Sequence, residues 1–331
     1  MATYKGIKGV KLQSVASDPS VYNSGEGWFN TTSNTLKYNV EGAGAWASGT
    51  AMPTPRGLAA TIGITTAGMV IMGDSPPAPT GYQPIPTSTT EWDGSNWTTG
   101  GAVNHGEGSM QLGFGTLTAG VLAGGYQQSP TIPALQTSEE YNGASWTTSN
   151  NMLNTHTDGT AAGILTAGLA ITGAGPSQTG AECEEYDGTS WTAGGALGTG
   201  RSRPQGSSCG TQTAALCVGG DSGDKTLVEQ YNGTAWTAAG SLNAGAYNGG
   251  ASGTQALALS YGGHPALTAT ESYNGSSWTT ENTLATGRGY CNGMGTQASS
   301  MLCGGNPGGG YANTVEEWTD PVEATKTVTV S

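Results

Sequence analysis

The 331 residues suffice for one large domain or two ordinary ones. With 57 glycines and only 10% charged residues they exclude a mainly helical protein, since each glycine costs a helix about 1 kcal/mol. The net charge of −13 is uneven: residues 1–45 hold four lysines (Lys5, Lys8, Lys11, Lys37) against three acids, and the remainder holds six basic against twenty acidic residues. Such a body repels phosphate backbones and anionic lipid, which argues against nucleic-acid or membrane-surface binding.

In chain order, the opening "MATYKGIKGVKLQSVASDPS" lacks the apolar core of a secretory signal, and no apolar run nears the ~20 residues of a membrane span. Synthesis in the cytoplasm without membrane insertion is expected. Residues 1–45 read as an attachment segment with a hairpin at 27–40, followed by a degenerate motif, "KYNVEGAGAWASG", at 37–49. From there repeats dominate. "TEWDGSNWTTGG" (90–101) recurs as "EEYNGASWTTSN" (139–150), "EEYDGTSWTAGG" (184–195), "EQYNGTAWTAAG" (229–240) and "ESYNGSSWTTEN" (271–282), and "VEEWTD" (315–320) is a truncated copy. Between them stand six small apolar runs whose first glycines are 63, 115, 163, 210, 253 and 295, spaced 52, 48, 47, 43 and 42 apart. A period in the forties with four strands of pattern per unit belongs to propeller blades.

Each unit reads as strand a before the Gly-Thr turn, strand b as the apolar run ending in Gly-Gly, strand c at E-x-Y, and strand d from the Trp. The inner strands are small because they converge on the axis, and the Tyr and Trp fill the gaps between diverging outer strands. Asn-Gly or Asp-Gly between c and d is expected to supply the φ > 0 residues of a tight hairpin. Units one to five run Arg56–Trp97, Asn104–Trp146, Thr155–Trp191, Arg201–Trp236 and Ala246–Trp278. The sixth, from Arg288, stops at Trp318 without a d-strand Trp, and the unpartnered Trp46 is expected to lie beside it and close the last blade. The expected architecture is all-β: 1–45 attachment segment, 46–319 six-bladed propeller, 320–331 C-terminal extension.

The order "AMPTPRGLAATIGITTAGMVIMGD" then "TTEWDGSNW" resembles the kelch family: Met-Pro-x-x-Arg, an apolar strand ending in Gly-Gly, Tyr-Asp and a spaced Trp. It departs from that pattern in its Gly/Ala/Thr-rich strands, and several blades lack the Arg or the full Gly-Gly. The "GTQTAALCVGG…VEQYNGTAWTAAGSLN" repeat, the head containing "GWFNTTSNTLKY" and the tail "TKTVTVS" resemble kelch-like virion proteins of marine tailed bacteriophages. That resemblance implies a structural or adhesive virion role, localisation on the particle, and contact with other virion proteins through residues 1–45.

Glu139, Glu184, Glu229, Glu271 and Glu316 share one register in five blades, so they read as acceptors for backbone donors at blade junctions rather than as a catalytic pair. "DGTSW" differs from a sialidase Asp-box, whose Asp and Gly are not adjacent, and four arginines (Arg56, Arg201, Arg203, Arg288) do not make the expected cluster. A copper site of the galactose-oxidase kind needs His and Tyr ligands. The three histidines, His105, His156 and His264, read instead as exposed loop residues. Five cysteines without a CxxC read as buried free thiols, so neither metal nor cofactor is expected.

Function is expected in the variable b–c and d–a connections, longest at 74–91 and 124–140. Strand parity places Tyr82, Tyr126, Tyr247, Tyr290 and Tyr311 on that face with the three histidines, and exposed Tyr suits sugars or protein surfaces. The leading expectation is a non-enzymatic tail-fibre or spike propeller presenting these loops to a host glycan or protein. The alternatives are a head-decoration or tail-nozzle part and, third, a glycan depolymerase. Fibres of this kind are often trimers, and no coiled-coil heptad decides the oligomer here.

Overall fold

The computed structural model describes residues 13–19, 26–41, 44–74, 87–106, 112–126, 135–173, 179–206, 209–221, 223–320 and 323–328. All regular structure among them is β-strand, and the chain divides into two units, Met1–Gly44 with Asp320–Ser331, and Ala45–Thr319.

In the smaller unit β1 (Gln13–Val15) runs parallel to β2 (Gly27–Asn30), which turns back antiparallel onto β3 (Thr35–Glu41). The expected hairpin at 27–40 is present. Its turn is fixed by Asn30, whose Oδ1 accepts the N–H groups of Thr32 (3.0 Å) and Ser33 (2.9 Å), and by Asn34 at φ +53°. Asp18 ties the sheet together by accepting from Lys37 Nζ (2.6 Å), Asn30 Nδ2 (2.7 Å) and Trp28 Nε1 (3.0 Å). These bonds, Lys37 foremost, lower its carboxyl to about 2. The residues expected as a separate C-terminal extension contribute β28 (Glu323–Thr327), antiparallel to the other edge of β3. The alternating Thr pattern of the tail suits a strand, and β3 offers an edge that pairing satisfies.

The larger unit consists of six four-stranded antiparallel sheets. Five follow the chain. They are β5 (Ala60–Ile64), β6 (Ala67–Ile71), β7 (Thr89–Trp92), β8 (Trp97–Thr99); β9 (Leu112–Thr116), β10 (Ala119–Ala123), β11 (Ser138–Tyr141), β12 (Trp146–Thr148); β13 (Thr160–Ile164), β14 (Ala167–Ile171), β15 (Cys183–Tyr186), β16 (Trp191–Ala193); β17 (Gly210–Thr211), β18 (Ala214–Val218), β19 (Val228–Tyr231), β20 (Trp236–Ala238); and β21 (Gly250–Gly253), β22 (Ala258–Tyr261), β23 (Thr270–Tyr273), β24 (Trp278–Thr280). The sixth is β25 (Asn292–Gly295), β26 (Ser299–Cys303) and β27 (Val315–Thr319), with β4 (Ala45–Ser48) as its fourth strand. Trp46 sits opposite Trp318, ring centroids 5.5 Å apart, so the expected pairing of these two strands is present.

The small residues of the inner strands have a specific cause. A Cβ added at Gly68, Gly120 or Gly168 would meet Met294 Sδ at 2.1 Å, Ile62 Cδ1 at 2.4 Å or Phe114 Cε2 at 2.1 Å. Each of these glycines, the last letter of the "TAG" repeat, is therefore a socket for a large side chain from the innermost strand of the preceding blade. Outer strands carry the opposite burden. Tyr141–Trp146, Tyr186–Trp191, Tyr231–Trp236 and Tyr273–Trp278 stack within their blades at 4.7–4.9 Å. They pack against the neighbouring blade, Tyr141 and Trp146 clustering with Ile62 and Met69. Aromatic pairs of this kind add about 0.5–1.5 kcal/mol beyond their burial.

The c–d turns differ from expectation in one respect. Only the glycines (Gly94, Gly143, Gly188, Gly233, Gly275) have positive φ. The preceding Asp or Asn instead caps the turn by side chain: Asp93 Oδ1 accepts from Ser95 and Asn96 N–H, both at 2.7 Å, and Asn142, Asp187, Asn232 and Asn274 do the same. The connection is four residues long, so it needs one left-handed residue rather than the two of a type I′ turn.

Candidate functional site

The repeated carboxylates are consumed by the scaffold. Glu139, Glu184, Glu229, Glu271 and Glu316 are buried, and each accepts backbone N–H groups from the connection that enters its blade: Asn104 and His105, Leu153 and Asn154, Gly198 and Thr199, Asn243 and Ala244, Ala285 and Thr286. Two of them also neutralise a buried guanidinium, Arg201 on Glu229 (2.5 Å) and Arg288 on Glu316, and Glu184 faces the ring Nε2 of His156 at 3.1 Å. In the first blade Arg56 is turned instead onto the carbonyls of Met72 and Ser88.

His156 is thus a correction. Expected as an exposed loop residue, it is 0% exposed and fills the position that Arg201 and Arg288 hold in their blades. Burial would raise Glu184, but His156 and the N–H groups of Leu153 and Asn154 hold it below the usual carboxylate range. His105 is exposed as expected, although its ring Nδ1 lies 3.1 Å from Glu139. In three motifs an acid at the middle position works outward: Tyr141, Tyr186 and Tyr231 donate their hydroxyls to Glu91, Glu140 and Glu185 of the preceding blade. Burial, then those carboxylates, pushes all three phenols up to about 12.

What remains is the face where the d–a connections arrive at the axis. Among the described residues, two positions beyond Arg56, His156, Arg201, Ala246 and Arg288 stands a residue in the left-handed region: Leu58 (φ +54°), Asp158 (+59°), Arg203 (+55°), Asn248 (+53°) and Tyr290 (+55°). Their backbones form a chain around the axis, Leu58 N–H donating to Tyr290 O (3.0 Å), Tyr290 to Asn248 O (2.7 Å), Asn248 to Arg203 O (3.0 Å) and Arg203 to Asp158 O (2.7 Å). A non-glycine residue held in this region costs about 1–2 kcal/mol, least for Asn and Asp. The backbone is repeated while the side chains differ at every position.

Four of these residues, Leu58, Asp158, Asn248 and Tyr290, line a cavity of about 40 Å³ together with Pro204 and Asn292 among others. Asn248 Nδ2 is buried without a hydrogen-bond partner. Asp158, its side chain 9% exposed, lies 3.5 Å from Arg203 Nε outside hydrogen-bonding geometry. Burial raises the Asp158 carboxyl, and Arg203 opposes that. Beside the cavity Tyr247 OH meets His264 Nδ1 at 2.6 Å, and Tyr290 packs edge-on to His264 at 5.1 Å. Lys225 Nζ lies 4.3 Å over the Tyr247 ring.

Of the residues expected on this face, Tyr247, His264 and Tyr290 come together. Tyr311 reaches Asp74 (3.4 Å) and covers Gly57, where an added Cβ would lie 2.1 Å from the ring. Tyr126 is exposed and takes no part in these contacts. Tyr82 and most of the two long loops lie outside the described residues. Sequence reading missed Asp158, Arg203 and Asn248. The signal was available in the triplets "RGL", "HTD", "RSR", "AYN" and "RGY", whose last residue varies within a fixed register. Among the described residues no group of three or more His, Cys, Asp or Glu could hold a metal ion.

No protein family and no curated protein matches the chain by sequence. Its fold is similar to the solved structure of YjhT, with a TM-score of 0.65 and 13% identity over 85% of this chain and 99% of that one. This likeness agrees with an all-β, kelch-like propeller and concerns the fold alone.

Proposed function

We propose that the chain is a non-enzymatic recognition propeller of a phage virion, of tail-fibre or spike type, which presents the axial face of its larger unit to a host-surface glycan. The observation that carries this is the division of labour within the repeat. The register-bound carboxylates and tyrosines are saturated by blade junctions, whereas the left-handed positions place Leu, Asp, Arg, Asn and Tyr around one opening on a common backbone. Variable side chains on a rigid ring suit recognition, and the enclosed carboxylates do not suit general acid–base work on a polymer. The virion setting rests on the resemblance of the head, repeats and tail described above, and the smaller unit is the natural candidate for contact with other virion proteins.

The test is retention of labelled full-length chain on cells that host the virus, with polymer size followed in parallel on purified envelope polysaccharide. The expected result is saturable retention and unchanged polymer length. Shortened polymer would favour a depolymerase. Absence of retention together with a head location on the particle would favour a decoration role.

A further inference from the structure

We infer that the mouth of the propeller axis, rimmed by Asp158, Asn248 and Tyr290, binds the terminal unit of a neutral glycan. This rests on the recognition reading above and names its ligand class and site. Size, hydrogen-bonding capacity and charge all bear on it.

The cavity of about 40 Å³ has room for about three waters, so a hexose ring would lie over the mouth and only its hydroxyl groups would enter. At the mouth Asn248 offers a buried amide donor without a partner, and Asp158 offers a buried carboxylate oxygen outside hydrogen-bonding geometry. Sugar hydroxyls, each both donor and acceptor, suit the amide and the carboxylate that Asn248 and Asp158 bring to the lining. Unpaired buried polar atoms are costly, and both of these belong to residues that line this one opening.

The wall is aromatic. Tyr290 lines the cavity and continues through His264 to Tyr247, which gives a sugar's C–H face a surface on which to stack. Charge argues for a neutral ligand. Arg203 is shared between Asp158 (3.5 Å) and Asp221 (3.4 Å), and Lys225 lies 3.8 Å from Asp221 and over Tyr247. The nearby cations are therefore already compensated, which leaves none for a sugar carboxylate. The hydrogen-bonded backbone chain from Leu58 through Tyr290, Asn248 and Arg203 to Asp158 holds these rim positions in place.

The experiment is saturation-transfer NMR and calorimetric titration of the full chain with the methyl glycosides of glucose, galactose and mannose, and with methyl glucuronide. Variants are Asn248→Asp, which keeps shape and left-handed tolerance but loses the donor, and Tyr290→Asn, which removes the ring while suiting φ +55°. Tyr126→Ala is the control. At least one neutral glycoside is expected to bind with a Kd near ~1 mM, weakened about tenfold or more in both variants while circular dichroism shows them folded at the titration temperature, and unchanged in the control. No binding by any neutral glycoside, equal binding in the variants, or preference for the glucuronide would each overturn the proposal. Retention of the same variants on host cells separates the two levels. If wild type and variants are retained equally, the axial site falls while recognition stands; if wild type is not retained, recognition itself falls.

Discussion

Replacing Glu229 by Gln should destabilise the propeller more than the same change at Glu271, because of the two only Glu229 balances a buried guanidinium. Both side chains are enclosed, and both accept backbone N–H groups. Glu229 takes Gly198 (2.7 Å) and Thr199 (3.3 Å); Glu271 takes Asn243 (2.8 Å) and Ala244 (2.9 Å), and also the side-chain amide Nδ2 of Asn243 (2.8 Å). Gln replaces one acceptor oxygen by a donor and leaves a buried N–H without a partner, at a cost of about 1–3 kcal/mol at either site. Only Glu229 also faces a guanidinium, Arg201, whose side chain is 0% exposed; the equivalent position beside Glu271 is Ala246. Neutralising one partner of a buried pair costs about 3–5 kcal/mol, so E229Q should exceed E271Q by about 2 kcal/mol. At about 2–4 °C per kcal/mol, E229Q should melt at least ~4 °C below E271Q. Thermal melts by circular dichroism and tryptophan fluorescence would measure this, with coincidence of the two probes checking cooperativity. Equal losses would refute the reasoning. They would mean that the carbonyls of Thr199 and Cys217, which also accept from Arg201, suffice to hold its charge.

Three further outcomes follow from the same structure. Cys183, Cys209, Cys217, Cys291 and Cys303 are free and buried, and burial pushes the thiols of Cys183, Cys209 and Cys291 up to about 12, so a thiol reagent at pH 8 should find none in the native chain and all five in denaturant. Tyr141, Tyr186 and Tyr231 keep their protons to about pH 12, whereas unfolded phenols release theirs near ~10. Stability should therefore be intact below pH 10 and fall between 10 and 12, with tyrosinate absorbance rising together with unfolding. In the smaller unit Asp18 is depressed to about 2, so its contribution is present above the ordinary value near ~3.9 and is lost as pH falls towards 2. Asp18→Asn should abolish that acid transition as followed by the Trp28 indole N–H resonance.

Much of the fold was legible because repetition multiplies a weak signal. One "EEYDGTSWTAGG" is ambiguous, but five copies at one register identify Glu184 as a junction acceptor and Trp191 as packing. The unpaired Trp46 at one end and the truncated "VEEWTD" at the other pointed to a shared blade, and the strands pair as that asymmetry implied. His156 was misread because residue type was weighed above register. Aligned with Arg201 and Arg288, it occupies a position that is buried in all three blades. The axial site was the least legible. Its defining property is a backbone conformation, and Leu58, Arg203 and Tyr290 are residues whose chemistry gives no hint of positive φ. Pairing of the tail with β3 was also hidden, since nothing within 320–331 names its partner strand.

The central claim is that scaffold and recognition are separate sets of residues. It is tested most directly by measuring methyl-hexoside affinity and Tm together for Glu271→Gln and Asn248→Asp. The account predicts that E271Q lowers Tm and leaves affinity unchanged, whereas N248D weakens binding about tenfold in a chain that is still folded at the temperature of the titration. Loss of affinity in E271Q at full folding, or undiminished affinity in N248D, would contradict it.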